Sequence, residues 1–302
     1  MTGPVLAPGS RLGAQAMEKA VKGRSLWDDA RRRLFRNWAA VSGMVVLAVL
    51  VVIALVGPHL IPFSYDQINK DDVWAPPLTE GHLLGADSLG RDLLARLLMG
   101  LRVSLAIGLV ATLVSLAIGI VWGAVAGYVG GVVDEVMMRV VDVLYSLPFI
   151  FFVILLMVTF GSNIILIFIA IGAVEWLTMS RIVRGQTLGL KHKEFVEAAR
   201  AAGMTQGGII AKHIVPNLLG PVVVYVTLTI PAVILAESFL SFLGLGVQPP
   251  MASLGTLIAG GAQDMELAPW LLIFPSLTMV VTLMSFNFIG DGLRDAIDPK
   301  DR

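Results

Sequence analysis

The fold turns on how residues 143–174 are read: VLYSLPFIFFVILLMVTFGSNIILIFIAIGAV, a run with no acidic or basic side chain. A helix needs about 20 apolar residues to cross the hydrocarbon core of a bilayer. The run is therefore either one overlong helix or two helices joined by a tight turn. Gly161-Ser162-Asn163 sits at its middle, and those residue types favour turns. Four other uncharged stretches, 37–65, 103–133, 214–236 and 267–290, each hold one crossing. The choice between five and six crossings falls to the cations. With six, both termini share a side that carries 18 Lys and Arg, against only Lys70, Arg91, Arg96 and Arg102 opposite. With five, the cations of 181–216 and of the tail would move to the far side, against the positive-inside bias. Six crossings follow, at roughly 38–57, 102–128, 140–160, 164–181, 217–239 and 268–290, with both ends cytoplasmic.

Composition supports a chain that lives in lipid. Hydrophobic residues make up 56% of the 302 positions and charged ones 15%, where soluble domains have roughly 45–50% and 25%. Mean hydropathy is +0.82. A soluble domain of this size could not hide that much apolar surface. Cysteine is absent, which excludes disulfides and thiolate metal sites. Net charge is zero, and no basic or acidic tail of the nucleic-acid-binding kind is present. The first apolar run follows about 37 polar residues and has no small-residue cleavage site behind it, which predicts an anchor rather than a removable leader.

The chain divides into a cytoplasmic segment, 1–37, a first crossing with an outer loop, 38–101, a five-helix core, 102–290, and a cytoplasmic tail, 291–302. In the first segment Ser25 is placed as a helix cap, with Asp28 and Asp29 in the first turn and Arg31, Arg32, Arg33 and Arg36 following. Trp27, Leu34 and Trp38 share a side, so the segment reads as an amphipathic helix lying on anionic headgroups. An outer amphipathic helix is predicted from Leu89, Leu93, Leu94, Leu97, Leu98 and Leu101, with Asp92 and Arg96 as an i,i+4 pair on its polar side. Ala111, Ser115, Gly119, Gly123, Gly127 and Gly131 recur every fourth residue of the second crossing. Such a small-residue face lets another helix approach closely, and packing within the chain is the simpler use. Prolines 148, 221, 231, 269 and 275 fall in or beside crossings, where neighbours re-satisfy freed carbonyls.

The loop 182–216 carries the function. Glu194-Phe195-Val196-Glu197-Ala198-Ala199-Arg200-Ala201-Ala202 is dense in helix formers. Gly203 supplies the left-handed residue that ends such a helix, Thr205 caps a second, and Pro216 marks entry to the next crossing. A short helix-turn-helix projects from the membrane with an alanine-rich face free to sit against something else. It reads as a docking element; the plain alternative is an ordinary cytoplasmic loop.

Glu197, Ala198, Ala199, Gly203 and Pro216 resemble the E-A-A motif of binding-protein-dependent ABC importer permeases. The sequence departs from that motif at His213, where an aliphatic residue is usual, and at Val215, where a leucine is. Lys212 to Asn217 instead resembles the peptide and nickel branch of the family. His82-Leu83-Leu84-Gly85-Ala86-Asp87-Ser88-Leu89-Gly90-Arg91-Asp92, Glu237 to Gly246, and Gly290 to Asp295 with Asp298-Pro299 are similar to the same branch. Gly23 to Trp27, Arg181 to Leu188 and Phe286 to Gly290 look like its oligopeptide members. The likeness runs from about residue 22 to the end.

That resemblance implies an all-α integral membrane protein with the six-helix type I ABC importer permease fold, in the inner membrane. It implies a homologous second permease, two ATP-binding cassette subunits beneath, and an external peptide-binding protein. Glu197 to Gly203 would form the coupling helix. The sequence holds no G-x-x-x-x-G-K-[ST] phosphate loop, no nucleophile–base set, and four histidines without metal-ligand spacing. It reads as a subunit with no catalytic residues, metal or cofactor, ATP hydrolysis falling to its partners. Dipeptide or nickel import within the branch is the near alternative. An ion-coupled secondary transporter is the distant one, but the halves 38–160 and 164–290 show no repeat of the kind such folds have.

Three ionisable side chains fall in crossings: Asp142, Glu175 and Glu237. Asp142 and Glu237 lie near span ends, within reach of headgroup water, and read as anchoring or packing residues. Glu175 is deeper, beside Trp176, and either pairs across helices with a cation such as Arg139 or faces the central pathway.

Overall fold

The computed structural model describes residues 26–79, 81–161 and 163–297. Ser25, the rest of the 23–25 run and Asp298-Pro299 lie outside them, as does the Trp27 side chain. The described residues form helices and loops without a β-strand: α1 Leu26–Arg36, α2 Trp38–Val56, α3 Leu93–Val129, α4 Gly131–Ser146, α5 Phe149–Phe160, α6 Ile164–Leu190, α7 Glu194–Ala201, α8 Gln206–Ile209, α9 Val215–Phe242, α10 Leu254–Gln263 and α11 Trp270–Ile297.

Five helices are long and apolar enough to cross a membrane, and α4 with α5 supplies a sixth when that bent pair counts as one span. The expected third crossing, 140–160, is thus not one straight helix. The pair turns by 80° at Leu147-Pro148. Proline disfavours helical backbone at the residue before it, and Leu147 adopts extended angles, φ −75° and ψ 128°. The turn at Gly161 is where the sequence placed it, with φ +83° and Asn163 capping α6. Other crossings overrun their expected ends: α6 reaches Leu190 and α11 reaches Ile297, because charge ends the lipid-facing stretch without ending the helix.

Two expectations about surface helices change. Asn37 caps α2 through Ala39 and Ala40, at 3.1 and 3.2 Å, so Trp38 opens the first crossing instead of closing α1. Leu93 to Leu101 of the expected outer stripe form the first turns of the 37-residue α3, not a separate helix, and Leu89 lies before it. Asp92 caps α3 by accepting from the Ala95 N–H at 2.7 Å, and Arg96 faces Asp87 instead of Asp92. The loop between α9 and α11 also folds into α10, which Ser253 and Thr256 start with a reciprocal capping box.

The small-residue stripe is used within the chain. A Cβ at Gly119 would sit 2.6 Å from Met179 Cβ, one at Gly123 2.4 Å from the Ser180 carbonyl oxygen, and one at Gly127 2.8 Å from Thr187 Cβ. The stripe thus seats α3 backbone-close against α6. It ends at Gly131, whose Cβ would meet nothing within 4 Å and which opens α4. At the other end of the bundle Arg102 donates to the Ala54 and Leu55 carbonyls, 2.9 and 3.2 Å away, closing the C-terminus of α2.

Candidate functional site: the helical hairpin between α6 and α9

Local chemistry builds the hairpin. Past α7, the Gly203 N–H donates to the Arg200 carbonyl at 3.0 Å and the Met204 N–H to that of Ala199 at 3.1 Å. With Gly203 at φ +79°, this is a full Schellman cap, which a side chain at 203 would strain. Thr205 then caps α8, its Oγ1 accepting from the Gly208 N–H at 3.3 Å. Residues Ile210–Ile214 form a π-helical turn before α9. Pro216 explains it: lacking an N–H and crowding the carbonyl four residues back, it cannot continue an α-helical ladder.

Each sequence-predicted site residue takes a defined place. Ala199 and Val196 are buried, packed with Ile209, Ile214 and Leu218 against Tyr128 and Val183 of the bundle. Glu197, Ala198, Ala201, Ala202 and Gly203 are exposed, and a Cβ at Gly203 would meet nothing within 4 Å. One face of α7 thus anchors the hairpin, and the other stands open with small side chains and one carboxylate. Arg200 braces it, its guanidinium 5.8 Å from the Tyr128 ring centroid and donating to the hydroxyl at 3.5 Å. Pro216 is exposed at the second position of α9.

Glu175 lies apart from the hairpin. It lines a cavity of about 350 Å³ formed where α4 and α5 bend away from α6, beside Tyr145, Pro148 and Phe152. Of the two readings, the pairing with Arg139 does not form among the described residues. The cations nearest along α6 are committed elsewhere, Arg181 to Asp142 at 2.8 Å and Arg184 to Asp134 at 2.6 Å.

Sequence reasoning missed two polar clusters. Glu237, expected near headgroup water, has no exposed surface. Its Oε1 accepts from Ser241 at 2.6 Å and Ser253 at 2.7 Å, and Oε2 from Ser104 at 3.4 Å. The Ser104 hydroxyl also accepts from the Leu254 N–H at 3.0 Å, so the cage ties α3 and α9 to the start of α10. Only Ser241, four residues on, was a visible signal. In the outer loop, His82 is buried with Nδ1 2.8 Å from Asp92 and Nε2 3.2 Å from Asp72, while Phe63 stacks on the ring at 4.5 Å. A neutral imidazole has one N–H, so facing carboxylates on both sides favours the doubly protonated ring. Burial opposes that charge, but the hydrogen bonds to Asp92 and Asp72 and their charges outweigh it and raise the His82 pKa above its ordinary 6.5.

This bundle has the fold of an ABC importer permease. A solved chain described as "Inward facing conformations of the MetNI methionine ABC transporter" superposes with a TM-score of 0.54 at 21% identity, covering 67% of this chain and 96% of that one. Residues 119–302 match the binding-protein-dependent transport system inner membrane component family, and residues 25–77 match the N-terminal TM domain of oligopeptide transport permease C. The chain belongs to the first of these families and is a multi-pass inner-membrane permease subunit. It is 56% identical to the Oligopeptide transport system permease protein OppC of Escherichia coli (strain K12), over 93% of this chain and 94% of that one. It is 40% identical to the Bacillus subtilis (strain 168) protein of the same name, over 98% and 96%. The Dipeptide transport system permease protein DppC of that organism is 44% identical over 92% and 87%. Membership implies a partner permease, ATPase subunits and a substrate-binding protein.

Proposed function

We propose that this chain forms half of the translocation pathway of an oligopeptide importer, with both termini cytoplasmic and α7 as the element that a cytoplasmic ATPase subunit grips. The observation that carries the reading is the split character of α7. Val196 and Ala199 lock it to the bundle, while Glu197, Ala198 and Gly203 stay open beside it. An ATPase groove closing on that face would move the bundle through Val196 and Ala199, and the paired permeases would rock between inward and outward states. The hydrolysis itself would belong to two ATP-binding cassette partners, and a peptide-binding protein would deliver cargo outside. The cytoplasmic placement rests on 18 cations on that side of the bilayer against four on the other.

Oligopeptide cargo is supported by the names of relatives as similar as 58%. The dipeptide-named relative at 44% favours a second reading, shorter peptides through the same pathway. Uptake of a pentapeptide against a dipeptide in the reconstituted complex separates the two. For the docking role, Glu197→Lys and Gly203→Leu should lower co-purification of the ATPase subunits, or ATP-coupled uptake, at least tenfold while the chain still inserts. Unchanged uptake in both variants would remove the hairpin from the coupling path.

A further inference from the structure

We propose that Glu175 and the cavity at the α4–α5 bend form a subsite for a cationic group of the cargo, the free amino terminus of a peptide in transit. The inference rests on the peptide-importer reading above. A separate fact, the balance of charge within the bilayer, carries it.

A carboxylate in lipid is held by a partner or a cation-bearing ligand, because its desolvation must be offset. Among the described residues, the other two such carboxylates near Glu175 and along the bundle are both satisfied. Asp142 has Arg181, and Glu237 has three serine hydroxyls. Glu175 has no hydrogen bond or ion pair to a described residue. Arg181 is doubly occupied, by Asp142 and by the Tyr145 ring 4.4 Å below its guanidinium, so it is not held in reserve for Glu175. Arg184 is fixed by two 2.6 Å bonds to Asp134.

The cavity fits the end of a peptide. Its volume, about 350 Å³, lies at the lower end of the roughly 300–1,000 Å³ typical of small-ligand sites. That is room for a terminal residue and too little for a chain of several. Tyr145, Leu147, Pro148, Phe152 and Leu177 give it apolar and aromatic walls, with the Thr178 hydroxyl one turn from Glu175. An ammonium would meet the carboxylate, while the first side chain rests on the apolar wall of Leu147, Pro148 and Phe152. One charge contact with unspecific walls suits cargo of varied sequence, since it reads the feature that all free peptides share. The bend at Leu147-Pro148 creates the space, because a straight helix over 140–160 would lay its side chains along α6.

The test uses the complete transporter with its binding protein in proteoliposomes, at binding-protein concentrations that saturate each peptide. One peptide is supplied with a free amino terminus and as its des-amino analogue. Glu175→Gln should cut uptake of the free-amine peptide at least tenfold and leave the des-amino peptide within twofold, with Glu175→Asp retaining the preference. Complex yield and basal ATP hydrolysis should not change. Equal uptake of the free-amine peptide by Glu175→Gln and the unaltered protein would overturn the inference alone. So would loss of complex yield in Glu175→Gln, which would mark the carboxylate as a bond to the second permease. An unaltered complex that moves neither peptide would overturn the importer reading together with the inference.

Discussion

The outer loop between α2 and α3 and the inner hairpin between α6 and α9 solve opposite problems. The outer loop satisfies itself. His82 bridges Asp72 and Asp92, Arg91 and Arg96 close on Asp87, and the Leu89 and Arg91 N–H groups donate to Asp87 at 2.9 and 3.0 Å. The hairpin is satisfied along one side only, with Val196 and Ala199 buried while Glu197, Ala198, Ala201 and Ala202 face outward. A polar segment that completes its own bonds holds a shape without help. One that leaves a small-residue face open keeps its shape by caps and leaves the rest uncovered. The glycines make the contrast measurable. Gly90 and Gly203 share left-handed backbone, at φ +71° and +79°, yet a Cβ at Gly90 would fall 1.6 Å from the Asn69 carbonyl oxygen while one at Gly203 meets open space.

Gly90→Ala should therefore show the largest effect. Overpacking against backbone costs about 3 kcal/mol, with about 1–2 kcal/mol more for a left-handed non-glycine residue. Yield of monodisperse complex in detergent should fall by more than tenfold, and near-normal yield would mean the loop is looser than its geometry. His82→Ala comes next. It strips two buried carboxylates of their bridge, at about 3 kcal/mol, and should expose the 60–92 loop to added protease with α7 untouched.

The same bridge sets a pH dependence with a definite sign. His82 is more basic folded than unfolded, so its stabilisation is fully present below pH 6.5 and fades as pH rises through the raised folded value. Protease resistance of the outer loop should decline from acid toward alkaline pH in the unaltered protein and stay flat in His82→Ala. An outer loop that tightens as pH rises would refute the charged bridge. Gly203→Ala is the smallest perturbation, about 1 kcal/mol of local strain with no clash. It should fray α7 by amide exchange while yield stays normal.

Legibility followed the range over which a signal acts. The hairpin was readable because Gly203, Thr205 and Pro216 cap and break helices within a few residues of themselves. The α3–α6 seam was readable because a four-residue period marks a helix face without naming its partner. Clusters assembled from distant segments were not: Glu237 gathers Ser104 from 133 positions away and Ser253 from 16. Proline alone did not decide the bend either. Pro221, Pro231 and Pro275 lie inside continuous helices, whereas Pro148 starts a new one. Buried neighbours keep α9 and α11 continuous across their prolines, while the α4 residues before Pro148 are exposed.

Whether an ATPase grips the open side of α7 from the cytoplasm is tested by one cysteine in a chain that has none. Ala201→Cys should resist a membrane-impermeant maleimide in sealed cells. In inside-out vesicles it should react once the ATPase subunits are stripped and be protected when they are restored. Labelling from the cell exterior, or equal labelling with and without those subunits, would show that no ATPase sits on that side of α7.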